Sequence, residues 1–464
     1  MTLIKSISGI RGTIGGQVGD SLTPVDIVKY VAAYSAMLIN KFGNERRLKV
    51  VVGRDARISG AMVDSIVCGT LSACGIDVVN ASLASTPTVE MAVVFESADG
   101  GIILTASHNP RQWNALKLLN ENGEFLDGVE GAELLEIAEA GEFPFCSVDK
   151  LGKVTYKDFT ARHIEAVYGY PLVNAEAIRA ARFRVVVDAV NSVGGVVIPA
   201  LLQTLGVDCI KVNCEPTGEF AHNPEPLPAH LKDLSEAVVR EGAHLGISVD
   251  PDVDRLALVC EDGTFFGEEY TLVSVADYVL SKKVGPTVSN LSSSRALRDV
   301  TEKYGASYSA AAVGEVNVTT QMKRVGAVIG GEGNGGVIVP DLHYGRDALI
   351  GVALFLSLLA ERGEKVSQIR DSLPAYSISK NKIELSDSEL ISKVLDAVKE
   401  AFASEKVTDI DGVKIDFEKE KMWVHLRRSN TEPIIRVYSE ASDMDKAENI
   451  AQKVISIVED IIKK

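Results

Sequence analysis

A chain of 464 residues, 46% hydrophobic and 24% charged, is too long for one core and too ordinary in composition to be disordered or fibrous, so it is expected to fold into three or four domains of roughly 100–200 residues. The formal net charge of −16 excludes nucleic acid as the main partner, since binding a phosphate backbone draws on clustered Lys and Arg; a small anion fits only where a few cations gather in one cleft. Six scattered cysteines without a Cys-x-x-Cys pair read as reduced thiols of a cytoplasmic protein. The opening Met1-Thr2-Leu3-Ile4-Lys5 does not look secretory, and the longest apolar stretch, Leu349 to Ala360, falls short of the roughly 20 residues that span a bilayer. No membrane association is expected, and that stretch reads as a buried helix.

In chain order, Gly9-Ile10-Arg11-Gly12 first sets an Arg between glycines. Lys49 to Asp55 then reads as a β-branched strand and turn leading into a helix from about Ala61 to Cys74. The apolar strand Gly101-Ile102-Ile103-Leu104 runs into Thr105-Ala106-Ser107-His108-Asn109-Pro110. Asn-Pro ends regular structure, so Ser107 stands on an ordered turn at a strand end, where side chains commonly project into a cleft. The same residue types also build plain capping turns, and the turn alone leaves both readings open. Lys117, after Trp113-Asn114-Ala115-Leu116, adds a point charge.

Arg184 to Asn191 repeats the strand and turn before a helix near Val196 to Leu205. Two further apolar strands, Leu245 to Val249 and Leu256 to Val259, bracket Asp250-Pro251-Asp252-Val253-Asp254-Arg255. Alternate residues of an extended segment point the same way, so the three carboxylates can converge on one hard cation, which supplies the counter-charge they need. Glu261 falls where an EF-hand loop has its twelfth residue, but Arg255 occupies the position of the required Gly and strands rather than helices flank the loop. A solvated acidic turn is the remaining alternative.

A third strand and turn, Thr287 to Ser294, precedes a helix through Tyr304. Gly330 to Gly336 then matches Gly-x-Gly-x-x-Gly formally, yet it leads into Val337-Ile338-Val339-Pro340, a strand and stop rather than the helix of a dinucleotide site. Its Glu332 and Asn334 suit sugar hydroxyls, because a carboxylate accepts and an amide both donates and accepts; a tight turn is the alternative. After about Pro374 the pattern changes to a helix (Glu389 to Phe402), strands at Val413–Phe417, Met422–Leu426 and Ile434–Tyr438, and an amphipathic helix from Met444 to Ile462. Within it Arg427-Arg428-Ser429-Asn430-Thr431-Glu432-Pro433, followed by Arg436, collects the donors that grip a phosphate dianion, with a solvated polar turn as the alternative. The expected class is α/β: three related α/β domains with mixed, largely parallel sheets (1–150, 151–265, 266–373) and an α+β domain (374–464).

Taken together and in this order, Thr-Ala-Ser-His-Asn-Pro, Asp-x-Asp-x-Asp-Arg, the Gly-Glu loop and Arg-x-Ser-Asn-Thr-Glu-Pro resemble the α-D-phosphohexomutases. That resemblance implies four domains around a central cleft, each contributing one motif. It implies Ser107 as a phosphoserine, with Asp250, Asp252 and Asp254 holding Mg²⁺ together with the phosphate on Ser107. Arg11, His108 and Lys117 then neutralise charge and assist proton transfer, Glu332 with Asn334 binds the sugar, and Arg427, Ser429, Asn430 and Thr431 clamp the other phosphate. Arg255 and Arg436 are supporting cations. The implied reaction interconverts the 6-phosphate and 1-phosphate of a hexose or hexosamine through a 1,6-bisphosphate, which also serves as activator. The partner is a small sugar phosphate, and a homodimer is admitted.

The sugar loop carries Asn334 and Gly336 where many bacterial members have Ser and His, and so is similar to the archaeal-type branch. Whole-chain resemblance is closest to the phosphoglucosamine mutases of that branch, which convert glucosamine 6-phosphate and 1-phosphate; phosphomannomutase/phosphoglucomutase is the alternative. A serine-dependent metallophosphatase and a non-catalytic sugar-phosphate sensor are more distant readings.

Overall fold

Two short strands, β1 (Ile4–Ser6) and β2 (Gly9–Thr13), begin the fold, paired antiparallel with Ile4 opposite Arg11. The computed structural model describes residues 2–6, 9–384, 388–428 and 434–462, in two units: the chain to Thr271 with Gly335–Gln368, and Leu272–Asn334 with the chain from Ile369 onward.

In the first unit, β3 (Lys49–Arg54), β4 (Asp77–Leu83), β5 (Gly100–Leu104), β6 (Trp113–Leu119) and β7 (Val154–Tyr156) join the opening pair in a sheet ordered β1-β2-β6-β5-β3-β4-β7. Neighbouring strands from β5 to β7 are parallel, and those from β5 to β1 are antiparallel. Val50, Val51 and Val52 are wholly buried, the continuous β-branched run expected of a strand covered on both faces. Helix Pro24–Phe42 packs Ile27, Tyr30, Val31 and Tyr34 into that core; its start is fixed by a Thr23/Asp26 capping box with Pro24 in the first turn.

A second sheet is ordered β11-β10-β8-β9, from β8 (Arg184–Asp188), β9 (Asp208–Val212), β10 (Leu245–Val249) and β11 (Leu256–Cys260). Its parallel strands β10, β8 and β9 carry one antiparallel edge, β11, and Val249 stands opposite Leu256 where the acidic loop begins and ends. The flanking elements are therefore strands, as the rejection of an EF-hand requires.

The second unit starts from parallel strands β12 (Thr287–Asn290), β13 (Tyr308–Ala311) and β14 (Ile329–Glu332), with β12 in the middle. The chain returns to the first unit for β15 (Gly336–Ile338) and the apolar helix Ala348–Arg362, whose residues through Leu359 are buried. It then forms an antiparallel sheet of β16 (Ser377–Glu384), β17 (Lys406–Thr408), β18 (Val413–Phe417), β19 (Met422–Arg428) and β20 (Ile434–Ala441), ordered β16-β20-β19-β18-β17. Helices Ser388–Ala401 and Met444–Ile462 cover one face through Val394, Val398 and Val454 against Ile415, Val424 and Val437. The sequence reading lacks β16 and β17: both are edge strands, one studded with Lys and Asn, the other three residues long, so neither shows a buried alternation.

The first unit also buries a charged network. His163 Nε2 and His343 Nε2 lie 2.9 Å and 3.2 Å from Asp347 Oδ2, and His343 Nδ1 lies 3.4 Å from Glu90 Oε2. Burial opposes a charged imidazole, but Asp347 and Glu90 outweigh it and push His343 up to about 10. Asp347 also caps helix Ala348–Arg362 by accepting from Leu349 N at 2.7 Å. Among the described residues no helix is long and apolar enough to cross a membrane, and all six cysteines are unpaired.

Candidate active site

Strand β5 delivers Ser107 three residues past its end, and the backbone there turns through φ +49°, a left-handed conformation uncommon outside glycine. The turn is tied down from below: Ser107 N donates to Thr105 Oγ1 at 3.0 Å, and Thr105 Oγ1 donates to Asp55 Oδ2 at 2.6 Å. The side chain that results is buried and faces acid, with Ser107 Oγ donating to Asp250 Oδ2 at 2.8 Å.

The acidic loop between β10 and β11 is as tightly held. Val253 sits at φ +65°, costly for a β-branched residue, and Asp250, Asp252 and Asp254 are fully buried with one oxygen of each within 4.8 Å of the others. Asp250 Oδ1 accepts from Arg255 N at 3.2 Å. Asp252 Oδ2 accepts from Lys117 Nζ at 2.7 Å and from Thr86 Oγ1 at 2.6 Å. Asp254 Oδ2 accepts from Arg346 Nη2 at 2.7 Å and lies 3.6 Å from Lys117 Nζ.

Two oxygens of the trio, Asp252 Oδ1 and Asp254 Oδ1, are buried without a hydrogen-bond partner. An orphaned buried carboxylate oxygen is costly, and two of them beside a third carboxylate make the donor set of a hard, oxygen-seeking cation. The residues present therefore fit Mg²⁺. The electrostatics point the same way. Burial, and then Asp254 and Asp252, push the Asp250 carboxyl well above the usual carboxylate range. Burial works against ionised Asp252 too, but Lys117 and Thr86 hold its carboxyl below that range. Lys117 is raised, burial being outweighed by Asp252 and Asp254, and so stays charged.

Around this core the remaining first-unit residues gather. His108 Nδ1 is 3.3 Å from Ser107 Oγ, and burial, then the Arg255 and Arg11 guanidinium groups, pull the imidazole down to about 2. His108 is therefore neutral. Arg11 Nη1 donates to Asn109 Oδ1 at 3.3 Å, and Arg255 Nη1 lies 3.7 Å from Glu225 Oε1. All eight first-unit residues named from the sequence, Arg11, Ser107, His108, Lys117, Asp250, Asp252, Asp254 and Arg255, are joined by these contacts or by charge interactions with one another.

In the second unit, Glu332 ends β14 and is fixed by neighbouring loops. Its Oε1 accepts from Asn290 Nδ2 at 2.8 Å and Gly314 N at 3.2 Å, and its Oε2 from Asn334 Nδ2 at 3.5 Å. Gly333 N donates to Ser293 Oγ at 2.9 Å. On the antiparallel sheet, Arg427 of β19 stands directly opposite Arg436 of β20, and Arg436 opposite Lys382 of β16. Like charges opposed across strands repel, so this row of three cations favours an anion. Arg427 Nε is 3.4 Å from Asp411 Oδ2, and Arg436 Nη1 donates to Tyr438 OH at 3.4 Å. Ser429, Asn430 and Thr431 lie outside the described residues.

In the first unit Thr86, Arg346 and Arg57, the last donating to Asp55 Oδ2 at 3.0 Å and to Asn109 O of the Ser107 turn at 2.8 Å, escaped the sequence reading, as did Lys382 in the second. Nothing in the local sequence links Thr86 or Arg346 to aspartates far away along the chain. Lys382 emerges only from strand register. Arg57 had a usable signal, because Asp55-Ala56-Arg57 follows the end of β3 just as the Ser107 turn follows β5.

Comparison with known proteins matches the chain in four consecutive pieces to phosphoglucomutase/phosphomannomutase family models: alpha/beta/alpha domain I over residues 3–145, domain II over 161–263, domain III over 267–376, and the C-terminal domain over 382–457. A Thermococcus kodakarensis protein named phosphoglucomutase/phosphomannomutase is 37% identical over 460 residues, covering 97% of this chain and 99% of its own. A Methanopyrus kandleri protein named probable phosphoglucosamine mutase is 32% identical, covering 97% and 96%. A crystal structure of a phosphoglucomutase/phosphomannomutase family protein from Burkholderia thailandensis shares the fold with a TM-score of 0.84 at 24% identity, over 99% and 98% of the two chains.

Proposed function

The chain belongs to the phosphoglucomutase/phosphomannomutase family and is a phosphohexomutase, an isomerase of the phosphotransferase type; on that premise we propose that it interconverts glucosamine 6-phosphate and glucosamine 1-phosphate, with Ser107 as the phosphoryl carrier. The observation that carries the assignment of Ser107 is its 2.8 Å hydrogen bond to Asp250 within a buried trio of aspartates. The four domains expected from the sequence, divided near 150, 265 and 373, are part of the same reading, and six unpaired cysteines support a cytoplasmic location.

In this mechanism the phosphate on Ser107 is attacked by the free hydroxyl of a sugar monophosphate. A P–O bond forms to the sugar as the bond to Ser107 Oγ breaks, giving the 1,6-bisphosphate; after the bisphosphate turns over, its other phosphate returns to Ser107 and the isomer leaves. A hexose 1,6-bisphosphate would likewise charge a dephosphorylated enzyme. Bound by Asp250, Asp252 and Asp254, Mg²⁺ would draw charge off the transferring group. Lys117, kept charged, offsets negative charge beside it; the hydroxyl proton ends on the released Ser107 Oγ, and neutral His108, 3.3 Å from that oxygen, is placed to assist by hydrogen bonding; Arg11 and Arg255 add positive potential. Glu332 and Asn334 would orient sugar hydroxyls. Arg427 and Arg436, with Ser429, Asn430 and Thr431, would hold the phosphate that is not reacting, lending remote binding energy to alignment.

The glucosamine reading is supported by relatives at 30–33% identity that are named probable phosphoglucosamine mutase. The name of the relative at 37% favours a second reading, glucose and mannose phosphates. A coupled assay of glucosamine, glucose and mannose 1-phosphates, primed with hexose 1,6-bisphosphate and Mg²⁺, ranks them by kcat/KM. Highest turnover of the glucosamine ester supports the proposal; a preference for glucose or mannose esters transfers it to the second reading. Release of inorganic phosphate in place of isomer would identify a metallophosphatase, and binding without turnover a sensor.

A further inference from the structure

We propose that Arg57 is the positioning residue that sets the geometry of the Ser107 turn, and that it does so with the whole of its guanidinium rather than with its charge. The inference rests on Ser107 being the phosphoryl carrier. Arg57 is 1% exposed, and a guanidinium has five N–H donors in a fixed planar fork. All five are accounted for. Nε donates to Asp55 Oδ2 at 3.0 Å; Nη1 donates to Pro110 O at 2.9 Å and Trp113 O at 3.1 Å; Nη2 donates to Asn109 O at 2.8 Å and, at very close range, to Ser107 O. One side chain thus gathers three carbonyls of the turn that carries the nucleophile and the first carbonyl of β6. It has no donor left for a phosphate, which separates it from Arg11 and Arg255.

The anchor closes a ring. Asp55 Oδ2 accepts from both Arg57 Nε and Thr105 Oγ1, and Thr105 Oγ1 accepts from Ser107 N. Both backbone polar groups of Ser107, N–H and C=O, are therefore tied to one ion pair, and this over-determination can hold a non-glycine residue at φ +49°. The same tripeptide reaches the acidic loop: Ala56 N donates to Ser192 Oγ at 3.3 Å, and Ser192 Oγ donates to Pro251 O at 2.7 Å. Asp55-Ala56-Arg57 accordingly fixes the Ser107 turn and the aspartate loop relative to each other within the first unit. Lysine keeps the charge but offers three donors on a tetrahedral head and cannot reproduce the fork.

The test is Arg57→Lys in the full chain, read by kcat, KM and the rate at which hexose 1,6-bisphosphate adds phosphate to Ser107, followed by intact mass. Misplacing a nucleophile by about 1 Å costs on the order of 100-fold, so kcat and the phosphorylation rate should fall by about that factor while KM stays within about threefold. A kcat within about threefold of wild type, or a loss confined to KM, overturns the inference. If Arg57→Lys does not fold, Thr105→Val, which opens the ring at its other side, carries the test. A kcat loss of about tenfold at unchanged KM supports the inference, and unchanged kcat overturns it. Failure of the wild-type protein to take up phosphate at all is a different result, because it removes Ser107 as carrier and leaves the role of Arg57 without its premise.

Discussion

Around Ser107, side chains of the first unit lock one another in place: three buried aspartates, Lys117, Arg346 and Thr86 meet at 2.6–2.8 Å, and two backbone positions are held at positive φ. On the sheet of the second unit, Lys382, Arg436 and Arg427 stand opposite one another in a row, with looser contacts of 3.3–3.4 Å to Glu384, Tyr438 and Asp411. The contrast matches two different tasks. Phosphoryl transfer depends on alignment that does not have to be reorganised during the reaction. The proposed grip on a phosphate that is alternately the 1- and the 6-substituent depends on positive charge that is only loosely partnered, and it tolerates latitude. The first unit is thus expected to govern kcat and the second KM.

The comparison breaks first at Ser107→Ala, which should lower kcat by at least about 10⁴-fold, since the covalent intermediate is lost, while a sugar phosphate still binds in a calorimetric titration; near-normal turnover would remove the carrier. Next in size, excess chelator should silence transfer and added Mg²⁺ restore it, because the orphaned oxygens of Asp252 and Asp254 have then lost their cation; full activity in chelator would count against the trio. Arg427→Ala should raise KM by about 10–100-fold, the worth of one charge-assisted contact of roughly 1.5–3 kcal/mol, with kcat nearly unchanged. A fall in kcat instead would blur the division between the units. Lys382→Ala should give the same signature at a few-fold and only at low salt, as suits an exposed charge.

The smallest effect sharpens the claim that the first unit is rigid. His343 is raised from 6.5 to about 10 by Asp347 and Glu90, so folding takes up a proton. Its contribution to stability is complete below about pH 6.5 and is lost as pH rises through about 10. The melting temperature should decline across that window, and His343→Gln should flatten the decline; an identical slope in the variant would remove the network from the stability account.

Much of this was legible in the sequence because the decisive features are local. Val50 to Val52, Val185 to Val187 and the Asp250 loop between two apolar runs announce strands and strand-end turns by composition alone. Ser107 could be placed at a strand end from the apolar run Gly101 to Leu104 before it and Asn109-Pro110 after it. What stayed hidden is long-range. Arg346 meets Asp254 across 92 positions and Thr86 meets Asp252 across 166, contacts that only the packed fold creates. The His163–Asp347–His343 network joins a helix residue, His163, to the distant loop and cap that precede helix Ala348–Arg362, for the same reason. β16 was masked by its own chemistry, an edge strand that exposes Lys380, Lys382 and Glu384.

The central claim is that one serine hydroxyl stores the phosphoryl group. Intact-mass and peptide analysis after incubation with hexose 1,6-bisphosphate and Mg²⁺ tests it most directly. The account predicts one added phosphate, carried on the peptide containing Ser107 and removed again by sugar monophosphate. An unmodified Ser107 in an enzyme that still isomerises its substrate would contradict it.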